Sequence, residues 1–415
     1  MSANLIKPGD VEIKELFLVK DGVTLSIFPQ VSAISIYEDM SAPTMLADIT
    51  ITDYIGLRAS FPIIGEERMR ITFRTPGRDV KGVATYDFAV VAINNVQIVD
   101  GGKGATYTLR CISEEHRWNA MGTIDRSYNQ PIHEIVEDIV RNELYSSKPL
   151  WMDPTKGQEP LVIPLLTPLS AVDFVRRRAV SQTPTNSLYL FFENRGGFHF
   201  RTVETLNEMA VRTRDPGKHF TYAPDVKRSE QADAAAFRNI IKLESIEETD
   251  TITRMQAGAL KNTVGGFDLH TKAYSETKFE IQNASVKTND KGSVLPQSPQ
   301  FVSKYTAKGD SKMFIPTDSS RPPNFKQDTL GARQAIAKFF NTNVVRALIN
   351  GDSTLNVGDS IYLDIKKNVA DTKGRKNDES ASGHYIVIRL RHIISIGGRN
   401  QHLIALDCAK MGMKT

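Results

Sequence analysis

Eight histidines and two cysteines have the widest chemical range in this chain, and their spacing decides what they could do. A zinc or catalytic metal centre needs ligands at intervals such as His-Glu-x-x-His or Cys-x-x-Cys, and neither occurs. His384, His392 and His402 fall on two apparent neighbouring strands and could converge, although strand-surface or satisfied core histidines account for them as well. Cys111 and Cys408 stand too far apart to define a disulfide framework, so they read as buried thiols in a reducing compartment. Gly101-Gly102-Lys103-Gly104 lies between two strands rather than before a helix, which suits a hairpin turn better than a phosphate cradle. There is no Gly-x-x-x-x-Gly-Lys-Ser/Thr loop and no Gly-x-Ser-x-Gly elbow, and carboxylates are too common to mark an acid and base for glycoside cleavage. The expectation is a protein that is not an enzyme and carries neither metal nor cofactor.

The 415 residues, 40% of them hydrophobic, suffice for two to four domains with real cores. Charge is almost balanced, with 52 Lys and Arg against 48 Asp and Glu. A dedicated nucleic-acid binder concentrates its basic residues, whereas the one tight cluster here, Arg176-Arg177-Arg178, reads as a solvated helix face. The N-terminal residues reach Pro8, Gly9 and Asp10 without an apolar stretch of signal-peptide length, and no apolar run long enough to span a bilayer occurs. No export signal and no membrane anchor are expected, so a chain working outside the cell would leave by lysis or inside an assembled particle.

Positioning falls first to strands. From Val11 to Cys111 short alternating runs are separated by turns, a β-sandwich or barrel in which Tyr86, Phe88 and Val90 face Tyr107, Leu109 and Cys111 across a hairpin. The period then changes. Ile132, Ile135, Val136, Ile139 and Val140 form one stripe of a helix after Pro131, and Thr167-Pro168 opens a second helix carrying Leu169, Val172, Val175 and Ala179. A hairpin, Leu188 to Phe192 and Phe198 to Val203, turns at Glu193-Asn194-Arg195-Gly196-Gly197. A second strand-rich stretch starts near Phe237, a duplication of the first being suspected although no block recurs. The division expected is 1–117 for a first β module, 118–206 for an inserted α+β domain, 207–283 for the first part of a second β module, 284–327 for an extended polar arm, and 328–415 for a helix around Ile336 and closing strands.

The segment Ala47 to Pro76 is the most distinctive. Two strands, with Ile49 and Ile51 on one buried face and Met69, Ile71 and Phe73 on the other, flank a corner marked by Asp53, Gly56, Pro62, Gly65 and Glu66. Near the C-terminus Leu355-x-Val357-Gly358-Asp359 is followed by Gly383-x-Tyr385-x-Val387 and Arg391-His392. These stretches resemble the tail-hub proteins of contractile-tailed bacteriophages, a family that includes the hub part of type VI secretion spikes and phage late-control protein D. A fainter match falls at Gly258 and Asp268.

The resemblance implies an α+β, mainly β fold with two tail-tube-like antiparallel β-barrel modules and an inserted small α+β domain. Asp53, Gly56, Pro62, Gly65, Glu66, Leu355, Gly358, Asp359, Gly383, Tyr385, Arg391 and His392 would be structural signature positions. It further implies a homotrimer forming a pseudo-sixfold ring between tail tube and central spike, touching other baseplate proteins, with DNA or the tape-measure protein passing through its lumen. Such a protein belongs to the virion and assembles in the host cytoplasm. Arg68, Arg70 and Arg74 could line that channel or simply be solvated. The alternatives are the hub of a type VI or extracellular contractile injection system and a tail-associated peptidoglycan hydrolase.

Overall fold

Alternation of period two builds the first hundred residues. In the computed structural model, β1 (Glu12–Lys20), β2 (Val23–Ser26), β3 (Val31–Asp39), β4 (Leu46–Asp53), β5 (Arg68–Arg74), β6 (Val83–Val99) and β7 (Gly104–Ile112) follow in order, with one helical turn, Leu57–Ser60, between β4 and β5. The structure describes residues 7–75, 82–183, 188–212, 218–222, 236–247, 252, 256, 258, 261–280, 293–294, 311–317, 326–340, 344–366, 377–378, 381–410 and 413–414. Met69, Ile71 and Phe73 are buried as their parity requires. The hairpin of β6 and β7 forms with Val90 opposite Cys111, but Tyr86 and Phe88 do not face β7: they lie opposite Ile71 and Met69, because β6 is long enough to pair first with β5 and only then with β7. Pro76 of the corner segment lies outside the described residues.

The inserted part holds β8 (Ser127–Gln130), β9 (Leu150–Met152), β10 (Glu159–Val162), β11 (Tyr189–Asn194) and β12 (Gly197–Thr202), with helices Glu114–Met121, Ile132–Asp138, Pro168–Arg176 and Val203–Arg212. The stripe from Ile132 to Val140 is buried, and its helix runs on into a π turn, Ile139–Glu143. Arg176 and Arg177 both bind Asp173, while the Arg178 guanidinium lies 3.8 Å from the centre of the Phe174 ring. Val203 does not end a strand as its pattern suggested. It opens a helix whose Val203 and Leu206 are drawn into the core of the second β half, a tertiary partner that local periodicity does not announce.

The rest supplies β13 (His219–Tyr222), β14 (Ile240–Glu247), β15 (Lys261–Asp268), β16 (Tyr274–Glu280), β17 (Ser293–Val294), β18 (Ser311–Thr317), β19 (Val344–Asn350), β20 (Ser360–Ile365), β21 (Gly383–Ser395), β22 (Gln401–Ala409) and β23 (Met413–Lys414). Strands β16, β15 and β18 make a separate sheet, against which the helix Lys326–Phe340 packs, Asn262 Nδ2 donating to Gly331 O at 2.9 Å. Most of the expected arm 284–327 lies outside the described residues; within it, β18 runs parallel to β15.

One large sheet of thirteen strands, mostly antiparallel, organises the molecule, in the order β14-β19-β22-β21-β3-β4-β7-β6-β5-β1-β2, with β20 also on β21 and β13 on β20. The two β halves are therefore one sheet, joined by the antiparallel ladder of β21 and β3. Each half keeps its own apolar core, and β21 feeds both, Ile386, Ile388 and Leu390 into one and Ile394 into the other. Burying each such aliphatic side chain contributes roughly 1.5–3 kcal/mol, which fixes the register of β21 on both sides. Among the described residues no ladder between β2 and β3 closes the first half into a barrel, and the second returns from β13 to β14 only through an isolated bridge, Thr221 to Asn239. Cys111 and Cys408 are free, one in each core, and burial pushes both thiols up.

Candidate functional site: the joint between the two β halves

The corner between β4 and β5 is held by two carboxylates. Asp53 Oδ1 accepts from Ile55 N at 3.1 Å and Leu57 N at 2.9 Å, starting the single helical turn, and Gly56 supplies a φ of 71°. Gly65 has a φ of 96°, which also favours glycine. The second carboxylate is not Glu66, which is exposed, but Glu67, which is fully buried. Glu67 accepts from Ile64 N, Gly65 N and Lys20 Nζ at 3.0, 2.9 and 3.2 Å. Burial pulls its pKa upward, yet the backbone N–H groups of Ile64, Glu67 and Gly65 together with Lys20 outweigh that and hold it below the usual range. Pro62 is exposed, and its carbonyl accepts from Lys20 Nζ. Tyr54, Ile55 and Ile64 project from this corner, 56%, 67% and 65% exposed. Arg68, Arg70 and Arg74 face Glu114, Asp87 and Glu12 respectively, the Arg70 pair being bidentate.

The C-terminal signature residues do not form one cluster: Leu355, Gly358 and Asp359 sit in the loop before β20, and Gly383, Tyr385, Arg391 and His392 are spread along β21. Leu355 is buried in the second core, and Gly358, at φ 88°, passes so close to Phe192 that a Cβ would lie 3.2 Å from its ring. Asp359 Oδ2 accepts from Asn356 N at 2.9 Å and from Lys218 Nζ at 2.8 Å. Gly383 begins β21 at φ 143°, Tyr385 donates to Ala381 O, and Arg391 lies over Tyr37 and donates to Ser35 Oγ. Between Leu355 and Gly358, Val357 N donates to Glu38 Oε2 at 2.9 Å, tying this loop to β3.

His392 and His402 do converge, His392 Nδ1 lying 2.9 Å from His402 Nε2, whereas His384 sits apart against Tyr362. His392 Nε2 is 3.1 Å from Tyr86 Oη, which in turn donates to Glu38 Oε1 at 3.1 Å. The Phe73 ring closes over both imidazoles and Tyr86. Burial raises Glu38 to about 7 against the hydrogen bonds and Arg195 charge that favour its ionised form, and burial lowers His402 to about 3 and His392 well below its ordinary value. Beside them Thr75 and Ser353 exchange hydrogen bonds, and Ser353 Oγ also donates to Gly82 O.

The turn of the β11–β12 hairpin enters the same joint. Asn194 Nδ2 donates to Val357 O at 2.9 Å and Arg195 Nη1 to Ser353 O at 2.5 Å. One residue earlier, buried Glu193 accepts from Met45 N and Ser113 Oγ of the first half and from Lys148 Nζ, which also reaches Glu115. The inserted domain thus pegs both halves. Glu38, Tyr86, Glu67, Ser353 and Arg195 are not among the signature positions that the sequence suggests. Parity marks the first three: Glu38 shares a face with Ile34, Ile36 and Met40, Tyr86 with Ala84 and Phe88, and Glu67 with Met69 and Ile71, each a polar group at a core position.

The arrangement locks; it does not expose reactive groups. Among the described residues no three metal-ligating side chains gather, and no helix is long and apolar enough to cross a membrane. No protein-family model matches the sequence, and no curated protein matches it. Among solved structures the chain is similar to the tail protein from Neisseria meningitidis MC58, with a TM-score of 0.57 at 9% identity over 96% of this chain and 97% of that one. It is also similar to the 43 kDa tail protein of prophage MuSo2 from Shewanella oneidensis, with a TM-score of 0.55 at 12% identity over 96% and 98%. At these identities the likeness is one of fold, and it extends over nearly the whole length of all three chains.

Proposed function

We propose that this chain is a structural tail-hub protein of a phage baseplate, three copies forming a pseudo-sixfold ring that joins the tail tube to the central spike. The observation that carries this reading is the double β architecture, two halves with separate cores in one sheet joined by β21 and β3. Three such chains supply six β units to a tube and three repeats to a spike, each half serving as a tube-like barrel unit. Ring contacts of this kind are heterologous and close by rotation, and obligate ones bury ~2,000 Å² or more. Among the described residues β2 has a ladder only with β1 and β14 only with β19, so each end of the sheet can take a neighbour's strand.

The fold shared with two tail proteins supports the same reading. The ring belongs to the virion baseplate, assembles in the host cytoplasm, touches neighbouring baseplate proteins and lets DNA or the tape-measure protein through its lumen. Its role is not enzymatic, since the ionisable groups that converge do so in a buried seam. Mass photometry on the purified chain tests this: a trimer is expected, alone or on adding the spike protein, and class averages should show a hollow ring. A monomer indifferent to both tube and spike proteins would overturn the reading, as would clearing of cell-wall substrate by this chain alone.

A further inference from the structure

We propose that Glu38, Tyr86, His392 and His402 form a proton wire across the seam between the two β halves, whose hydrogen bonds all reverse direction when Glu38 gains or loses a proton. The inference concerns the fold itself and stands whether or not the chain is a hub. Its basis is a row of four buried groups from β3, β6, β21 and β22, each within 2.9–3.1 Å of the next. Every member except the last has a partner on each side. His402 Nδ1, at the far end, has no hydrogen-bond partner, and its ring is fully buried. It faces the Gly351 backbone so closely that a Cβ there would come within 2.1 Å of Nδ1.

Two arrangements satisfy the same heavy-atom distances with both imidazoles neutral. With Glu38 ionised, Tyr86 donates to Glu38, His392 Nε2–H donates to Tyr86, His402 Nε2–H donates to His392 Nδ1, and His402 Nδ1 is a bare acceptor. With Glu38 protonated, Glu38 donates to Tyr86, Tyr86 donates to His392 Nε2, His392 Nδ1–H donates to His402 Nε2, and His402 Nδ1 carries a hydrogen. One proton taken up at His402 Nδ1 interconverts them: each hydrogen moves one place along the row, both tautomers change, and the last hydrogen neutralises the Glu38 carboxylate. No charge is left on either ring.

The groups that face the wire set where this happens. Val357 N–H from the loop before β20 and the Arg195 guanidinium from the β11–β12 turn favour ionised Glu38, while Phe73 of β5 walls off the rings from water. Burial opposes them and brings the carboxyl to about 7, whereas both histidines are held from taking a charge, His392 by burial, His402 and Arg195 together. Reversal therefore falls near neutral pH, where solvated glutamate and histidine would respond independently.

Infrared difference spectroscopy on the full chain between pH 5.5 and 8.5 tests the wire. The expected result is a protonated-carboxyl band and imidazole tautomer bands that change together with one midpoint near 7. Glu38→Gln removes both changes. Tyr86→Phe keeps a carboxyl titration, with its midpoint moved, but abolishes the tautomer change. Should the variants not fold, the wild-type spectra alone decide. A carboxyl midpoint near the ordinary glutamate value, a carboxyl titration without tautomer change, charged-ring bands that Glu38→Gln abolishes, or a tautomer change that persists in Tyr86→Phe would each overturn the proposal.

Discussion

Two adjacent glutamates show what one position of parity decides. Glu66 faces water, while Glu67 is buried and satisfies two backbone N–H groups of the corner. Glu67→Gln leaves one of those donors facing an amide and should cost about 1–3 kcal/mol, against less than about 0.5 kcal/mol for Glu66→Gln. Because the Glu67 pKa is lowered in the fold, its contribution is present above the unfolded value of 4.5 and lost as pH falls through the folded one. Urea unfolding should therefore show a flatter acid limb in Glu67→Gln, and equal behaviour of the two variants would contradict the assignment. Glu38 has the opposite sign. The unfolded chain releases this proton near 4.5 and the folded one near 7, so the native state binds more protons in that window and loses stability as pH rises through it. The gap between wild type and Glu38→Gln should shift by about 3 kcal/mol in favour of the variant from pH 4.5 to 7.5. A gap independent of pH would show that this carboxyl is not held neutral. Both glutamates were legible as polar residues on an apolar parity, but which buried partner each would find was not, since Val357 lies 319 residues from Glu38.

Elements show the same division between local and distant information. The strands of β5 to β7, the helix stripe at Ile132 and the hairpin turning at Glu193 follow from periodicity and turn chemistry, so their sequence patterns suffice. The helix Val203–Arg212 did not, because what selects it is the second core receiving Val203 and Leu206. The same hairpin carries the peg that no local pattern announces: Glu193 with Lys148 on one side of the turn, Asn194 and Arg195 on the other. Burial raises the Glu193 pKa against the pull of Lys148. Lys148→Met should cost about 3–5 kcal/mol, because it strands a buried carboxylate. That loss is expected to shrink on acidification, as Glu193 then takes a proton in the folded state. Thermal unfolding at pH 5 and pH 8 distinguishes this from a simple packing defect, which would be the same at both.

At the scale of the whole molecule, continuity of the sheet is the feature furthest from the sequence. Periodicity supports two strand-rich halves, but the ladder of β21 on β3 pairs residues as far apart as Ala33 and Ser395, and no local signal encodes such a partner. The unpaired edges matter as much. The distal part of β6 has β7 on one side, and along it Val96 and Ile98 are 49% and 78% exposed. An apolar strand edge left in water templates aggregation, so a stable assembly covers it. If three chains close into a ring, a neighbour's surface supplies that cover. Ile98→Asp touches no core, so the unfolding midpoint of the isolated chain should move by less than the equivalent of about 0.5 kcal/mol. The trimer, by contrast, should dissociate at concentrations where wild type remains assembled, because a carboxylate would be desolvated at each of its contacts. Val162→Asp, at an exposed apolar position on β10 of the inserted domain, is expected to leave assembly unchanged. Mass photometry across a dilution series reads both, and a trimer that survives Ile98→Asp would place the ring contact elsewhere on the sheet.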